Sequence, residues 1–302
     1  EQEPRPFKVN SAGNQMWGPS GGAIWVAPTV DAKRRLIYVG TSNSYTDVPY
    51  DNADSVLAID VDSGAIRWAK QMTADDNYID GCKGAKRHAN CPDPVGPDWS
   101  IGAAVIHQPL PGGGDILLVG QKSGMVWGLD PANAGAVKWQ QRLSGGSELG
   151  GVEFGTASDG RHVYAGISDI VRGKAGKPGL WALDVATGKV IWNQPTSPTP
   201  KCRWEGFWCH GAISQAISVM PGLVFAGSYD GHFRAYDTKT GAIRWDFDTG
   251  SEAVKAVDGK MVFGGVMDGG GPTIAGGMVY VHTGYAGRSG GTAARDMRNA
   301  DG

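Results

Sequence analysis

The sequence predicts an all-β protein, a β-propeller of four-stranded antiparallel blades that stops part-way round its ring. Three observations predict it: a hairpin repeated four times, a second strand pair ahead of every copy, and a composition suited to turns. The chain has 302 residues with 48 Gly, 17 Pro and 11 Trp, while 41% of its residues are apolar. That much glycine beside an ordinary apolar share indicates many turns between short strands, not disorder.

The repeat comes first because a fixed period decides the architecture. Segments 57–68 (LAIDVDSGAIRW), 127–139 (WGLDPANAGAVKW), 181–192 (WALDVATGKVIW) and 233–245 (FRAYDTKTGAIRW) align with one another. Each runs from an apolar strand ending in Asp (Asp60, Asp130, Asp184, Asp237) to a turn glycine (Gly64, Gly135, Gly188, Gly241). A second strand then closes on Trp68, Trp139, Trp192 or Trp245. An Asp-x-x-x-Gly turn between apolar runs is a hairpin, with glycine taking the positive φ. The second copy carries one extra residue before its glycine.

Upstream strand pairs are expected in 23–42, 103–121, 154–168 and 216–229. Four strands per unit, with the closing tryptophans 53 to 71 residues apart, is the arithmetic of a propeller blade. A fifth unit opens at 272–285 (PTIAGGMVYVHTGY) and lacks its outer hairpin. The reading is therefore one domain over 1–302, with a polar connector at 1–17, blades over 18–285 and a tail at 286–302. Four and a half blades leave strand edges unpaired, so the chain is expected to be the C-terminal portion of a longer protein. The other reading is a small propeller with irregular closure.

A formal net charge of −2 leaves no basic footprint for nucleic acid. No run of 18 apolar residues is present to span a membrane, and EQEPRPFKVN lacks the apolar core of a secretion signal. Four cysteines form two close pairs, Cys82/Cys91 and Cys202/Cys209, each in a loop rich in Gly, Pro and aromatics. Disulfides are favoured over zinc half-sites completed by His88 and His210, because neither spacing matches a common zinc pattern. Disulfides in turn favour an oxidising compartment such as the periplasm. Cys209-His210 is no haem attachment site, which needs C-x-x-C-H. The glycine runs 112–114 and 269–271 precede strands, so they read as hairpin turns and not phosphate loops. No G-x-S-x-G or H-E-x-x-H motif occurs.

The Asp-x-x-x-Gly-x-x-x-Trp unit resembles the blade motif of pyrroloquinoline quinone (PQQ) quinoproteins. Segments 96–106 (GPDWSIGAAVI), 148–155 (ELGGVEFG), 227–249 and 275–285 resemble the polyvinyl alcohol dehydrogenase group of that family. The resemblance runs in order over about 280 residues. It implies roles for particular residues. Trp25, in GPSGGAIWVAPTVD, takes the place of the aromatic floor under PQQ, where a flat quinone needs a flat partner. Asn43, in YVGTSNSY, takes the place of a calcium-ligating amide, calcium preferring hard oxygen donors. The loop 47–64 takes the place of the one supplying the catalytic Asp; Asp51, also a candidate calcium ligand, is favoured over Asp54. Lys122, in GQKSGMVWGLD, takes the place of the basic side chain beside a quinone oxygen. Glu153 and Phe154 repeat the frame around Trp25 and form a second candidate cofactor-facing position.

Taken together, the resemblance implies PQQ- and calcium-dependent oxidation of an alcohol, secondary or polyvinyl alcohol-like, to a carbonyl. An Asp acts as general base and the quinone accepts hydride. A cytochrome c-type acceptor would take the electrons. Upstream blades, a haem domain and the outer strands of the last blade are missing from the pattern. The alternative is a cofactor-free propeller that binds proteins in the cell envelope, since the repeat alone fixes a fold and not a chemistry. That alternative expects Trp25, Asn43, Asp51 and Lys122 to lie apart.

Overall fold

The computed structural model describes residues 3–48, 50–84, 87–251 and 253–284. Four four-stranded antiparallel sheets follow one another along the chain. The first comprises β3 (Thr29–Asp31), β4 (Leu36–Gly40), β5 (Ser55–Asp60) and β6 (Ile66–Gln71). The second comprises β7 (Ile106–Pro109), β8 (Asp115–Gly120), β9 (Met125–Asp130) and β10 (Ala136–Arg142). The third is β11 (Thr156–Ser158), β12 (His162–Ile167), β13 (Gly179–Asp184) and β14 (Val190–Pro195), and the fourth is β15 (Ser218–Met220), β16 (Leu223–Gly227), β17 (His232–Asp237) and β18 (Ile243–Asp248). In every sheet the strands pair in sequence order, and the first strands of successive sheets adjoin one another. These are propeller blades, with their first strands innermost.

The expected hairpins fall on β5–β6, β9–β10, β13–β14 and β17–β18. At the turn of β13–β14, the Asp184 carboxylate accepts the backbone N–H groups of Ala186 and Thr187 at 3.1 and 2.9 Å. Asp237 does the same for Lys239 and Thr240. The repeat aspartate is thus an Asx turn that closes the hairpin. Each closing Trp pairs across the hairpin with a small residue: Trp68 with Ala58, Trp139 with Gly128, Trp192 with Ala182, Trp245 with Ala235. The indoles of Trp68, Trp139 and Trp192 then lean onto the turn glycine of the next blade.

That glycine is required twice over. Gly188 has φ +70°, and a Cβ there would also sit 2.4 Å from Trp139 Cε3. Gly135 and Gly241 bear the same relation to Trp68 and Trp192. The indole N–H groups of Trp139 and Trp192 reach the backbone carbonyls of Val185 and Thr238 at 2.9 and 3.0 Å. The core is accordingly laid down between blades: Leu118, Val126 and Trp139 of the second pack against Val163, Ile167 and Leu183 of the third. Strands two and three of a blade, buried on both faces, read as unbroken apolar runs for this reason.

After the fourth blade come two short hairpins, β19 (Val254–Lys255) with β20 (Met261–Val262), and β21 (Thr273–Ala275) with β22 (Met278–Tyr280). The second is the opening pair of the fifth unit; Tyr285 and the tail 286–302 lie outside the described residues. Residues 1–17, expected as a connector, carry most of a hairpin, β1 (Arg5–Val9) with β2 (Gln15–Gly18). Both cysteine pairs are disulfides, Cys82–Cys91 and Cys202–Cys209, on the long connectors β6–β7 and β14–β15. No helix among the described residues is long and apolar enough to cross a membrane.

Candidate functional site

Long connectors and inter-strand turns from the first two blades meet over a cavity of about 410 Å3. Trp25, ahead of β3, forms one wall, and Asn43, just past β4, lies on another. Lys122 comes from the β8–β9 turn, and Asp98 and Ser100 from the β6–β7 connector. Three residues singled out in the sequence, Trp25, Asn43 and Lys122, therefore line one cavity.

Trp25 is 41% exposed although it sits among well-packed neighbours. Gly102 makes room for it, since a Cβ there would lie 2.5 Å from Trp25 Cη2 and from the Glu153 carbonyl oxygen. Phe154 meets the indole edge-on, with ring centroids 5.6 Å apart and planes at 75°. The indole is thus fixed, with surface left open. Lys122 Nζ lies 5.9 Å from the same ring centroid and 3.1 Å from Asp98 Oδ2.

Asp98 is nine-tenths buried, and burial pushes its carboxyl above the usual range, opposed by the Lys122 ammonium. Its backbone is held in the left-handed region, φ +65°, by Asp76, whose carboxylate accepts the N–H groups of Asp98 and Trp99 at 3.0 and 2.5 Å. Asn43 is anchored at both ends of its amide. Its Nδ2 donates to the carbonyls of Ser44 and Tyr78, and its Oδ1 accepts the hydroxyls of Ser42 and Ser100 at 2.9 and 3.2 Å.

The remaining expected residues fall elsewhere. Asp51 is exposed and lines outer clefts beside Tyr50, not the central cavity. Asp54 is fully buried, with φ +45° and no donor on either carboxyl oxygen. Burial first, and then the facing Asp76, push its carboxyl up to about 9. Glu153 is buried and turned toward the next connector, where Ser214 Oγ donates to its Oε2 at 2.7 Å. Asp98, Asp76 and Ser100 were not singled out in the sequence. The available signal was an aspartate in the segment GPDWSIGAAVI, whose resemblance was legible while its carboxylate was not read as chemistry.

A carboxyl group raised in the folded state stabilises the fold fully below its unfolded value near 3.8, and that contribution is lost as pH rises toward 9. Asp54→Asn is therefore expected to flatten the pH dependence between pH 4 and 9. At pH 7 it should gain about 4 kcal/mol of stability, read by urea unfolding at several pH values. Unchanged curves would mean that Asp54 titrates normally.

The lining suits a flat quinone, and the described residues do not by themselves complete a calcium shell. The open indole face and the buried ammonium suit a flat, electron-poor ring bearing oxygens. A calcium shell needs six to eight oxygens, whereas here the Asn43 amide oxygen already takes two hydroxyls and the Asp98 carboxylate is bonded to Lys122. Asp51, the other expected ligand, is not on this wall. Elsewhere among the described residues, Asp31, His107 and Asp115 cluster closely, but the Arg34 guanidinium bonds both carboxylates. A larger concavity, about 800 Å3, is apolar and lies around Trp245, away from these groups.

Comparison with known proteins gives a consistent kinship. A family model described as outer membrane protein assembly factor BamB matches residues 10–203 and 180–301. A polyvinylalcohol dehydrogenase from Sphingopyxis sp. (strain 113P3) is 68% identical over 305 residues, covering 100% of this chain and 47% of the relative. One from Pseudomonas sp. is 54% identical over 302 residues, covering 100% of this chain and 46% of the relative. The chain thus spans about half the length of the curated relatives it matches. Among solved structures, quinohemoprotein alcohol dehydrogenase ADHIIG from Pseudomonas putida HK5 matches with TM-score 0.60 and 15% identity. That match covers 88% of this chain and 45% of the other, and supports the propeller fold.

Proposed function

Since the chain belongs to the PQQ-type repeat family and aligns over its whole length with about half of two polyvinylalcohol dehydrogenases, we propose that its cavity binds PQQ and oxidises an alcohol to a carbonyl. The substrate class is a secondary alcohol, including polyvinyl alcohol-like chains. The observation that carries this reading is the meeting of Trp25, Asn43 and the Lys122–Asp98 pair around one cavity. The cofactor-free scaffold reading expects Trp25, Asn43, Asp51 and Lys122 to lie apart, and of these only Asp51 lies off the cavity.

Bound there, the quinone supplies the hydride acceptor. The chain's own residues supply the setting. Trp25 gives the stacking face and Phe154 keeps the indole from turning. Lys122, buried and aimed by Asp98, places a positive charge where a quinone oxygen would gain electron density. Asp98, with a raised carboxyl on the cavity wall, suits the general base that takes the hydroxyl proton. It fills the role expected of Asp51 or Asp54. A cytochrome c-type acceptor would take the electrons, and the two disulfides suit an extracytoplasmic, periplasmic setting.

The test is a PQQ titration followed by quinone absorbance and thermal unfolding. A ligand that binds only the folded state raises its stability by about 2.7 kcal/mol at a hundredfold excess over Kd. Trp25→Ala is expected to weaken binding about tenfold, the worth of one aromatic stack. Equal affinity in the variant, or no binding by the folded protein, would remove the proposal.

A further inference from the structure

We propose that Asp76 is a positioning residue for the alcohol oxidation: its carboxylate closes the neck of the β6–β7 connector and so sets where Asp98 stands. The inference rests on the reading of the cavity as an oxidation site with Asp98 as its base.

Asp76 and Asp98 are 22 residues apart on that connector. The described residues between them form no strand, and the Cys82–Cys91 disulfide staples only the middle of the stretch. Closing a loop of that length costs entropy, so contacts at its neck must hold its ends together. The Asp76 carboxylate does this with both oxygens. Oδ1 accepts the N–H of Asp98 at 3.0 Å, and Oδ2 accepts that of Trp99 at 2.5 Å. Beside them the Gly96 N–H donates to the Asn77 carbonyl at 2.6 Å. A side chain at Gly96 would run into Asp76 Oδ1 and the Asn77 backbone nitrogen. Asp76 is buried, so solvent does not compete for these bonds.

What the neck holds is an unfavourable conformation. Asp98 has φ +65°, a region that residues bearing a Cβ seldom occupy without support. With its backbone so turned, Asp98 lines the cavity and its Oδ2 meets Lys122 Nζ. Ser100, two residues on, donates to Oδ1 of Asp98 at 3.3 Å and to Oδ1 of Asn43 at 3.2 Å. Relaxing φ at Asp98 would swing its carboxylate off these partners. A base must stand within hydrogen-bond reach of the hydroxyl it deprotonates, and a displacement of about 1 Å can cost about 100-fold in rate.

The other wall is tied without the Asp76 side chain. The Asp76 carbonyl accepts the Ser44 N–H at 2.9 Å, and Asn43 Nδ2 donates to the Tyr78 carbonyl at 3.0 Å. Replacing the carboxylate by an amide turns an NH2 toward one of the two N–H groups. Asp76→Asn therefore releases Asp98 and leaves Asn43 and Trp25 in place.

In the PQQ-loaded protein, Asp76→Asn is expected to lower kcat about 100-fold, with KM and PQQ affinity changed by less than about threefold. Gly96→Ala, which forces the neck open from the other side, should reproduce the loss. Adding Asp76→Asn to Asp98→Asn should lower the residual turnover by no more than about twofold, because the group it positions is already gone. A general structural defect would lower turnover in both backgrounds alike. Amide hydrogen exchange reads the neck without cofactor or substrate: the Asp98 and Trp99 N–H groups should exchange about tenfold faster in Asp76→Asn. Wild-type turnover in folded Asp76→Asn, equal losses in both backgrounds, or unchanged exchange would overturn the proposal. A wild type that binds quinone and oxidises no alcohol would instead overturn the oxidation reading, and the claim on turnover with it.

Discussion

Lys122→Ala is expected to lower PQQ-dependent alcohol oxidation by about 100- to 1,000-fold, the usual cost of removing one preorganised charge from a developing oxyanion. The side chain is buried, bonded to Asp98 at 3.1 Å, and lies 5.9 Å from the Trp25 ring centroid. It therefore cannot be replaced by a solvent cation. The loss should fall on turnover more than on the apparent affinity for alcohol, because the charge acts on the quinone oxygen as electrons arrive. The same substitution leaves the Asp98 carboxylate buried without its partner, which costs about 3 kcal/mol of stability. The two effects separate in the double variant Lys122→Ala, Asp98→Asn, which should recover stability without recovering turnover. Steady-state kinetics beside urea unfolding reads both. Turnover within a few-fold of wild type in Lys122→Ala would place the lysine outside the chemistry.

Trp139→Ala should cost about 3–5 kcal/mol, the range for emptying a large buried aromatic site. Trp139 fills the space over Gly188 of the next blade, packs in the core between the second and third blades, and donates to the Val185 carbonyl. Trp245→Ala at the same repeat position should cost under about 1 kcal/mol. Trp245 is 47% exposed, and no further turn glycine covers it among the described residues. Urea midpoints for the two variants measure the difference. Equal losses would mean that the tryptophan acts within its own hairpin and not between blades.

The contrast between these two tryptophans shows what the sequence could and could not reveal. The hairpins were legible because their determinants are local: an aspartate that accepts the turn's N–H groups, a glycine at positive φ, and alternating apolar residues. The spacing to Trp was legible too, but not that the indole rests on the neighbouring blade's glycine. The hairpin Arg5–Val9 with Gln15–Gly18 escaped notice because its strands are mostly exposed, so no buried face marks them. The disulfide pairs followed from short spacing in irregular loops.

The candidate site was legible in part. Trp25, Asn43 and Lys122 lie at the ends of repeat elements, so family-like segments carry them to corresponding places. Asp51 and Asp54 stand three residues apart in one loop, and the left-handed backbone at Asp54 buries one and leaves the other outside. No periodicity governs such a loop. Asp98 arrives from a long, disulfide-stapled connector whose path is set by what it packs against.

The sequence by itself therefore determined the blades, their hairpins and the places of the closing tryptophans, because each depends on interactions within a few residues or on a strict repeat. Only the tertiary structure decided which carboxylate faces the cavity and which is sealed behind it. That choice is made where connectors from different blades converge, and burial and charge there follow from packing rather than from spacing along the chain.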